Sequence, residues 1–268
     1  MSAQTEFRAS KKTKIKDVDA GKKPLSSGDK EKDKQQTLAL ASEIGLQQEM
    51  LYAGQHHKLL VVLQGTDTSG KDGTVKGVFN SINPQGISIV GFKAPSTIEK
   101  AHDYLWRIHQ QVPIAGEITV FNRSHYEDVL VTRVHNWIDS GECERRYAHI
   151  CDFERMLAET GTTIIKFLLH ISKDEQARRL QERINDPEKN WKFDPQDLEE
   201  RQSWDAYQEL FASAIQATDA DHAPWYVIPA DSKTHRNLAI ASVVLETLQA
   251  LKLKPPPANP ALAGLKIV

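Results

Sequence analysis

A chain of 268 residues, 40% hydrophobic and 26% charged, can bury one large α/β core or two small ones without staples, and one domain is expected. No apolar run approaches the ~18 residues of a membrane span, so no membrane association is expected. A formal net charge of −2 speaks against a general nucleic-acid binder.

Residues 1–34 carry ten basic and six acidic side chains, a local charge of about +4. They lack the apolar core and cleavage site of a secretory signal, so a solvated basic tail on a cytoplasmic protein is expected. A single domain should then run over residues 35–252. Leu38, Leu40, Ile44, Leu46, Met50 and Leu51 make an apolar face suited to a helix on the sheet edge. Five runs read as strands: Lys58 to Gln64, Ile87 to Phe92, Glu117 to Phe121, Thr162 to His170 and Pro224 to Ala230. Each is too short for a core helix, and the segments between them have helical spacing or composition. That alternation predicts an α/β fold, a parallel sheet with helices on both faces. Cys143 and Cys151 fall on one predicted helix with no paired partner motif, as reduced thiols would. Residues 253–268 are too proline-rich for a helix or a central strand and read as a surface tail or an oligomer arm.

The first strand runs into Gly65-Thr66-Asp67-Thr68-Ser69-Gly70-Lys71, which fits G-x-x-x-x-G-K between a strand and a helix. Its glycines let successive backbone N–H groups converge on an anion, and the helix N-terminus adds its dipole to Lys71. Thr68, Ser69, Gly70, Lys71, Asp72, Gly73 and Thr74 are therefore the candidate phosphate site. Asp72 stands where Ser or Thr usually supplies a hydroxyl to Mg²⁺, so metal ligation passes to Asp67, with Thr74 as a possible hydroxyl donor. The alternative is a glycine-rich turn serving only the fold, which would not require the lysine.

The carboxyl ends of parallel strands line the ligand crevice, so Asn122, Arg123 and Ser124 should face the same cleft as Lys71. Arg123 and Glu127, four apart, and then Arg133 would form one wall; an ordinary helical ion pair is the competing reading for Asp128 and Arg133 taken singly, and not for Arg123. Asn122 occupies the place where a hydrolysing NTPase closes its strand with a metal-binding Asp. Residues 173–201 suggest a lid, over about 178–201, in which Arg179 and Arg183 share a helical face and two prolines interrupt the helix. Lys189 and Lys192 extend its cations. Seven basic against nine acidic residues leave it no net positive charge, so a working lid must turn its arginines toward the cleft, and a solvated, salt-bridged hairpin is the alternative.

Together, "GTDTSGKDGT", "FNRSHYEDVLVTRVH", "LHISKDEQARRLQERINDPEKNWKF" and "APWYVIPAD" resemble the polyphosphate kinase 2 family, and within it the class III type. The resemblance spans about Leu38 to Leu251. It implies a P-loop kinase-like three-layer αβα sandwich with a helical lid, inorganic polyphosphate as phosphoryl donor, and AMP and ADP as acceptors. The family's loop aspartate and lysine fall on Asp67 and Lys71, its strand-end arginine on Arg123 and its lid arginine on Arg183. Asn122 and Glu127 fall on the pair that separates class III from the ADP-specific type, which carries Asp and Asn there. Gly65 and Thr68 differ from the alanines common in this loop. Assembly as a dimer or tetramer is also implied.

On that reading Lys71, the loop amides and Mg²⁺ hold the end of the polyphosphate chain, and Mn²⁺ suits the same oxygen ligands. Arg123 and Arg183 offset charge on the transferring phosphoryl, and Asp67 holds the metal and orients the attacking oxygen. The base is placed near Phe92 and Lys93, although "GFKAPS" also reads as a turn packing on the core. Three rivals remain: an ATP-dependent nucleoside monophosphate kinase, a hydrolysing NTPase, and a nucleotide-binding module without turnover.

Overall fold

The computed structural model describes residues 2–257 and 259–260, apart from the side chain of Lys192. In chain order the elements are α1 (Ala3–Phe7), α2 (Lys30–Gly54), β1 (Lys58–Gln64), α3 (Lys71–Val78), β2 (Ile87–Gly91), α4 (Thr97–Lys100), α5 (Trp106–His109) and β3 (Ile118–Asn122). There follow α6 (Glu127–Val134), α7 (Ser140–Glu159), β4 (Thr162–His170), α8 (Lys173–Asn185), α9 (Gln196–Gln202), α10 (Trp204–Thr218), β5 (Trp225–Pro229) and α11 (Lys233–Ala250). All five predicted strands form, each within a residue of its expected ends.

They pair in parallel in the order β2-β3-β1-β4-β5, with Val61 opposite Val120 on one side and Ile165 on the other. β1 is flanked on both sides, which is why it reads as an unbroken apolar run. Its side chains alternate between two cores. Leu59, Val61 and Leu63 join Ile44 and Leu51 of α2 and the apolar face of α11, whereas Leu60 and Val62 join Leu130 of α6, Phe153 of α7 and Phe211 of α10. Side-chain caps set the helix starts: Asp29 for α2, Asp139 for α7, Ser172 for α8 and Ser232 for α11 each accept a first-turn N–H. This is the P-loop kinase-like αβα sandwich, and it brings the residues after β1, β3, β4 and β5 to one edge. No helix among the described residues is long and apolar enough to cross a membrane.

Two expectations are corrected. The leader is not a solvated tail, and α2 begins at Lys30, before the expected domain start at residue 35. α1 lies on α11, where the Glu246 carboxylate accepts from Ala3 N at 2.8 Å and Gln4 N at 2.9 Å and so satisfies two orphan donors of the helix start. Phe7 is buried in the core, and Ala9 N donates to Trp225 O at 2.8 Å, covering the edge of β5. Farther on, His170 Nε2 lies 2.9 Å from Lys16 O, and Asp17 accepts from Lys173 N and Trp204 Nε1.

The inward face of α2 also differs from the expected one. Thr37, Ala41, Ile44, Gln48 and Leu51 are buried, while Leu38 and Leu46 are 57% and 53% exposed. The helix approaches its neighbour too closely for large side chains along the expected stripe: a Cβ on Gly45 would lie 2.5 Å from Ser81 O, and Gln48 accepts from Asn83 N. Of the tail expected over 253–268, the described residues are mostly exposed, with Leu253 against the core; 258 and 261–268 lie outside the described residues.

Phe7→Ala is expected to destabilise the fold by about 3 kcal/mol, seen as a lower urea midpoint at unchanged slope. An unshifted midpoint would mean that the leader contributes nothing to the core.

Candidate active site

The turn after β1 needs its glycines. Gly65 has φ +147°, and a Cβ there would meet Leu169 O at 2.6 Å; Gly70 has φ +102°, and its Cβ would fall 1.8 Å from Arg236 Nη1. Thr68 is also left-handed, at φ +64°. Arg179 clamps the turn from below, donating through Nη1 to Thr68 O at 2.9 Å and Ser69 O at 3.2 Å. Arg236 adds a bond to Ser69 O at 3.3 Å. An incoming anion therefore meets no free carbonyl at those two positions. The Lys71 amine donates to Gly65 O at 2.6 Å and Thr66 O at 3.2 Å. Burial and the nearby Arg123 charge bring its pKa down to about 8, against the pull of Asp67, Glu127 and Asp72. The hydroxyls of Thr68 and Thr74 are buried and bond nothing in the protein.

Across from this turn stands the end of β3. Arg123 has φ +64°, fixed by its N–H on Leu63 O at 3.1 Å, and its Nη2 donates to Asp67 Oδ1 at 2.6 Å. Asn122 Nδ2 donates to Asp72 Oδ1 at 2.7 Å. Glu127 opens α6; burial pushes its carboxyl above the usual range, with Arg123 and Lys71 opposing. On the lid, Arg183 lies 3.6 Å from Asp197, whose carboxyl is pushed up to about 6 by burial and by the Asp67 charge.

Two cavities meet here. One, of about 1260 Å³, is lined by Lys71, Arg123, Arg179, Arg183, Lys233 and Arg236 among others, with Lys189 and Trp191 at the lid. The second, of about 690 Å³, is bounded by Leu130, Val131, Trp137, Tyr207 and Phe211, with Arg107 and Asp128 at its back. Asp67, Arg123 and Asp197 line both, so the ion pair at 2.6 Å stands at the partition. A polyanion fits the first chamber and a partly apolar ligand the second.

The sequence model of the family described as Polyphosphate kinase 2 (PPK2) matches residues 27–256. The chain belongs to the polyphosphate kinase 2 family. It is 54% identical over 221 residues to an AMP/ADP-polyphosphate phosphotransferase of Meiothermus ruber, covering 82% of each chain. It is 43% identical over 226 residues to an ADP-polyphosphate phosphotransferase of Rhodopseudomonas palustris, covering 80% of this chain and 78% of that one. Its fold superposes on the crystal structure of polyphosphate kinase 2 from Arthrobacter aurescens TC1 with a TM-score of 0.94 at 43% identity, over 97% of this chain and 93% of the other.

In this polyphosphate kinase 2 the structure gathers Asp67, Lys71, Arg123, Arg183 and Lys189 round one chamber, with Thr68, Gly70, Asp72 and Gly73 in its lining. Ser69 and Thr74 are fully buried and line neither cavity. Phe92, Arg133 and Lys192 also stand differently. Phe92 lines both cavities, but its ring is 7% exposed, edge-on to Phe121 at 4.9 Å and with the Arg107 guanidinium 5.5 Å from its centre. It is a wall rather than a stacking surface, and the exposed ring of the second chamber is Trp137. Arg133 bonds Asn136 Oδ1 at 3.1 Å and lines neither cavity, because it sits in the last turn of α6, eleven residues past the end of β3. The side chain of Lys192 lies outside the described residues.

Arg236 and Gln176, whose Nε2 donates to Asp67 O at 3.3 Å, were not anticipated. Arg236 lies seven residues past the end of β5, inside α11, where the strand-end rule that picks out Arg123 does not reach. Arg179 was expected at the cleft but is spent on backbone carbonyls. Gly70→Ala is expected to lower kcat/KM for phosphoryl transfer by about ten- to hundredfold, through a left-handed strain of roughly 1–3 kcal/mol. A wild-type kcat/KM would show that the loop tolerates a Cβ beside Arg236.

Proposed function

We infer that the protein transfers the terminal phosphoryl group of inorganic polyphosphate to AMP and ADP, giving ADP and ATP, and that the reaction is reversible. What carries this reading is the pair of chambers sharing Asp67 and Arg123. The cationic chamber takes the polyphosphate end over the loop, and the partly apolar one takes the nucleoside, so both phosphate termini converge on the partition. ATP-dependent monophosphate transfer is the alternative, and it requires the first chamber to seat a second nucleoside; Lys71, Arg123, Arg183, Lys233 and Arg236 in its lining favour a polyanion.

In the forward direction an oxygen of the nucleotide's terminal phosphate attacks the last phosphorus of the chain. One P–O bond forms as the bridging P–O bond breaks, and the shortened chain departs with the electron pair. Lys71 and the loop amides neutralise the oxygens of the transferring group, with Arg123 and Arg183 on its flanks. Asp67 orients the attacking oxygen, and Arg123 fixes the carboxylate for that task. The lid residues exclude water, which separates transfer from hydrolysis.

The donor set also fits a divalent cation. Asp67 and Asp197 repel each other across the chamber, a repulsion that a bound cation would relieve; the Thr74 hydroxyl, fully buried and lining neither cavity, is not part of that set. Asp67 would hold the ion, Mg²⁺ by expectation and Mn²⁺ by the same oxygen chemistry. When bound, it would supply charge neutralisation to the phosphate oxygens. Class III specificity rests on Asn122 and Glu127, and assembly as a dimer or tetramer rests on the resemblance, with exposed Leu38, Leu46 and Ile89 as apolar surface for it.

The direct test incubates the protein with Mg²⁺, long-chain polyphosphate and AMP, or ADP, and follows ATP. ATP should form from either acceptor, and Lys71→Ala should lower turnover by about 10²- to 10³-fold; ATP formation only with an added nucleoside triphosphate donor would replace polyphosphate in this reading. The Lys71 amine is cationic below its pKa of about 8 and neutral above it. Thus kcat/KM for polyphosphate should fall by about tenfold per pH unit above that point. The fall in kcat should come at higher pH, because the bound anion holds the proton.

A further inference from the structure

A second basic depression, of about 530 Å³, adjoins the polyphosphate chamber, and Lys233 lines both. Its other cations are Lys23, Lys30 and Arg178. Their charges are not equally available. Arg178 is paired with Glu175 and Glu182, and Lys233 stands 3.8 Å from Glu182. Lys23 and Lys30 make no ion pair among the described residues. The acid of the depression, Asp231, is already engaged, accepting from Ser172 N at 2.8 Å and Ser172 Oγ at 3.0 Å.

The leader holds these lysines in place although their side chains are exposed. Ala20 is fully buried, and its carbonyl accepts from Asp231 N at 3.2 Å, which fixes the chain just before Lys23. Buried Asp33 accepts from Ser26 Oγ at 2.6 Å and Ser27 N at 2.8 Å, and Asp29 caps α2, which fixes the chain round Lys30. An ordered leader thus carries two unpaired ammonium groups to the rim of the donor chamber.

We propose that this depression is a distal subsite for the polyphosphate chain, binding the phosphate units that extend past Lys233 out of the reaction chamber. It rests on the reading of polyphosphate as donor in the first chamber. Lys23 and Lys30 support it: ammonium groups on flexible stems act as mobile point charges, which suit a repeating polyanion that needs attraction without register. Because the contacts are exposed, their strength is modest and salt-dependent. A donor short enough to end inside the first chamber gains nothing from them.

The experiment compares the full chain with a Lys23→Ala/Lys30→Ala variant, using ADP and either tripolyphosphate or long-chain polyphosphate at two ionic strengths. The KM for the long chain should rise roughly three- to tenfold at low salt, with kcat and the tripolyphosphate KM unchanged. The difference should shrink at high salt, and Lys23→Arg/Lys30→Arg should restore the parent KM. An unchanged long-chain KM, or an equal rise for both donors, overturns the subsite while leaving the donor assignment standing. No turnover by the parent with either donor overturns the donor assignment and the subsite with it.

Discussion

The site depends on one buried guanidinium. Arg179 donates through Nε to Glu175, through Nη1 to Thr68 O and Ser69 O, and through Nη2 to Ala230 O at 2.7 Å and Asp231 O at 2.8 Å. Placing that charge at 4% exposure is costly in itself, and the carboxylate and four carbonyls offset the cost. In return, three separate pieces become one body: the phosphate loop, the end of β5 and the stem of the lid. Arg201 adds a second pin, from the end of α9 to Lys173 O at 2.6 Å and Gln176 Oε1 at 2.9 Å. Both ends of the segment are thus tied, and the stretch between them carries Arg183, Lys189 and Trp191 over the chamber.

The same chamber is electrostatically uneasy on its own. Burial and the neighbouring Arg179 bring the Arg236 guanidinium down to about 10, and burial and Arg179 also lower the Lys233 amine. Lys71 is lowered in the same way, by burial and then by Arg123. Each cation resists the next until an anion arrives, so part of the binding energy of a polyphosphate chain is relief of repulsion already built into the fold. That relief also makes the folded state more stable with donor bound than without it. Acidic side chains moderate that repulsion: Asp67, Glu127 and Asp72 act on Lys71, and Glu182 and Glu175 act on Lys233.

Strands and loop were legible in the sequence because their signals are local. Continuous apolar runs mark strands buried on both faces, and a strand followed by Gly-x-x-x-x-Gly-Lys has few other meanings. What failed was whatever depends on distant partners. The leader looked like a tail because Ala3, Phe7 and Ala9 are sparse among charges, and their burial is visible only once α11 and β5 are in place. The face of α2 was rotated because Gly45 and Gln48 face inward where backbone approaches, a requirement that hydrophobicity does not report. Arg179 and Arg236 lack a spacing rule, since an arginine serving carbonyls depends on where loops end in space. Phe92 follows a strand and looked available, yet Arg107 comes from a helix 15 residues later to cover it.

Lys166 shows the same limit and explains how Arg123 is aimed. It sits in the apolar run of β4, fully buried, with Nζ 2.5 Å from Glu154, 2.9 Å from Tyr126 Oη and 2.9 Å from Thr218 O. Glu154 in turn meets His125 at 3.2 Å and accepts from Tyr126 Oη at 2.9 Å. From the other side Gln64 Nε2 donates to Ser124 Oγ at 3.0 Å, so three consecutive residues after Arg123 are held by side chains from β1, β4 and α7. Apolar side chains of similar volume would fill this space at comparable or greater stability. They would not dictate the direction of a turn that departs from β3 with a left-handed arginine. We read the buried pair as the cost of that direction: the core beneath the partition is polar because the guanidinium above it must meet Asp67 and a phosphate at fixed angles.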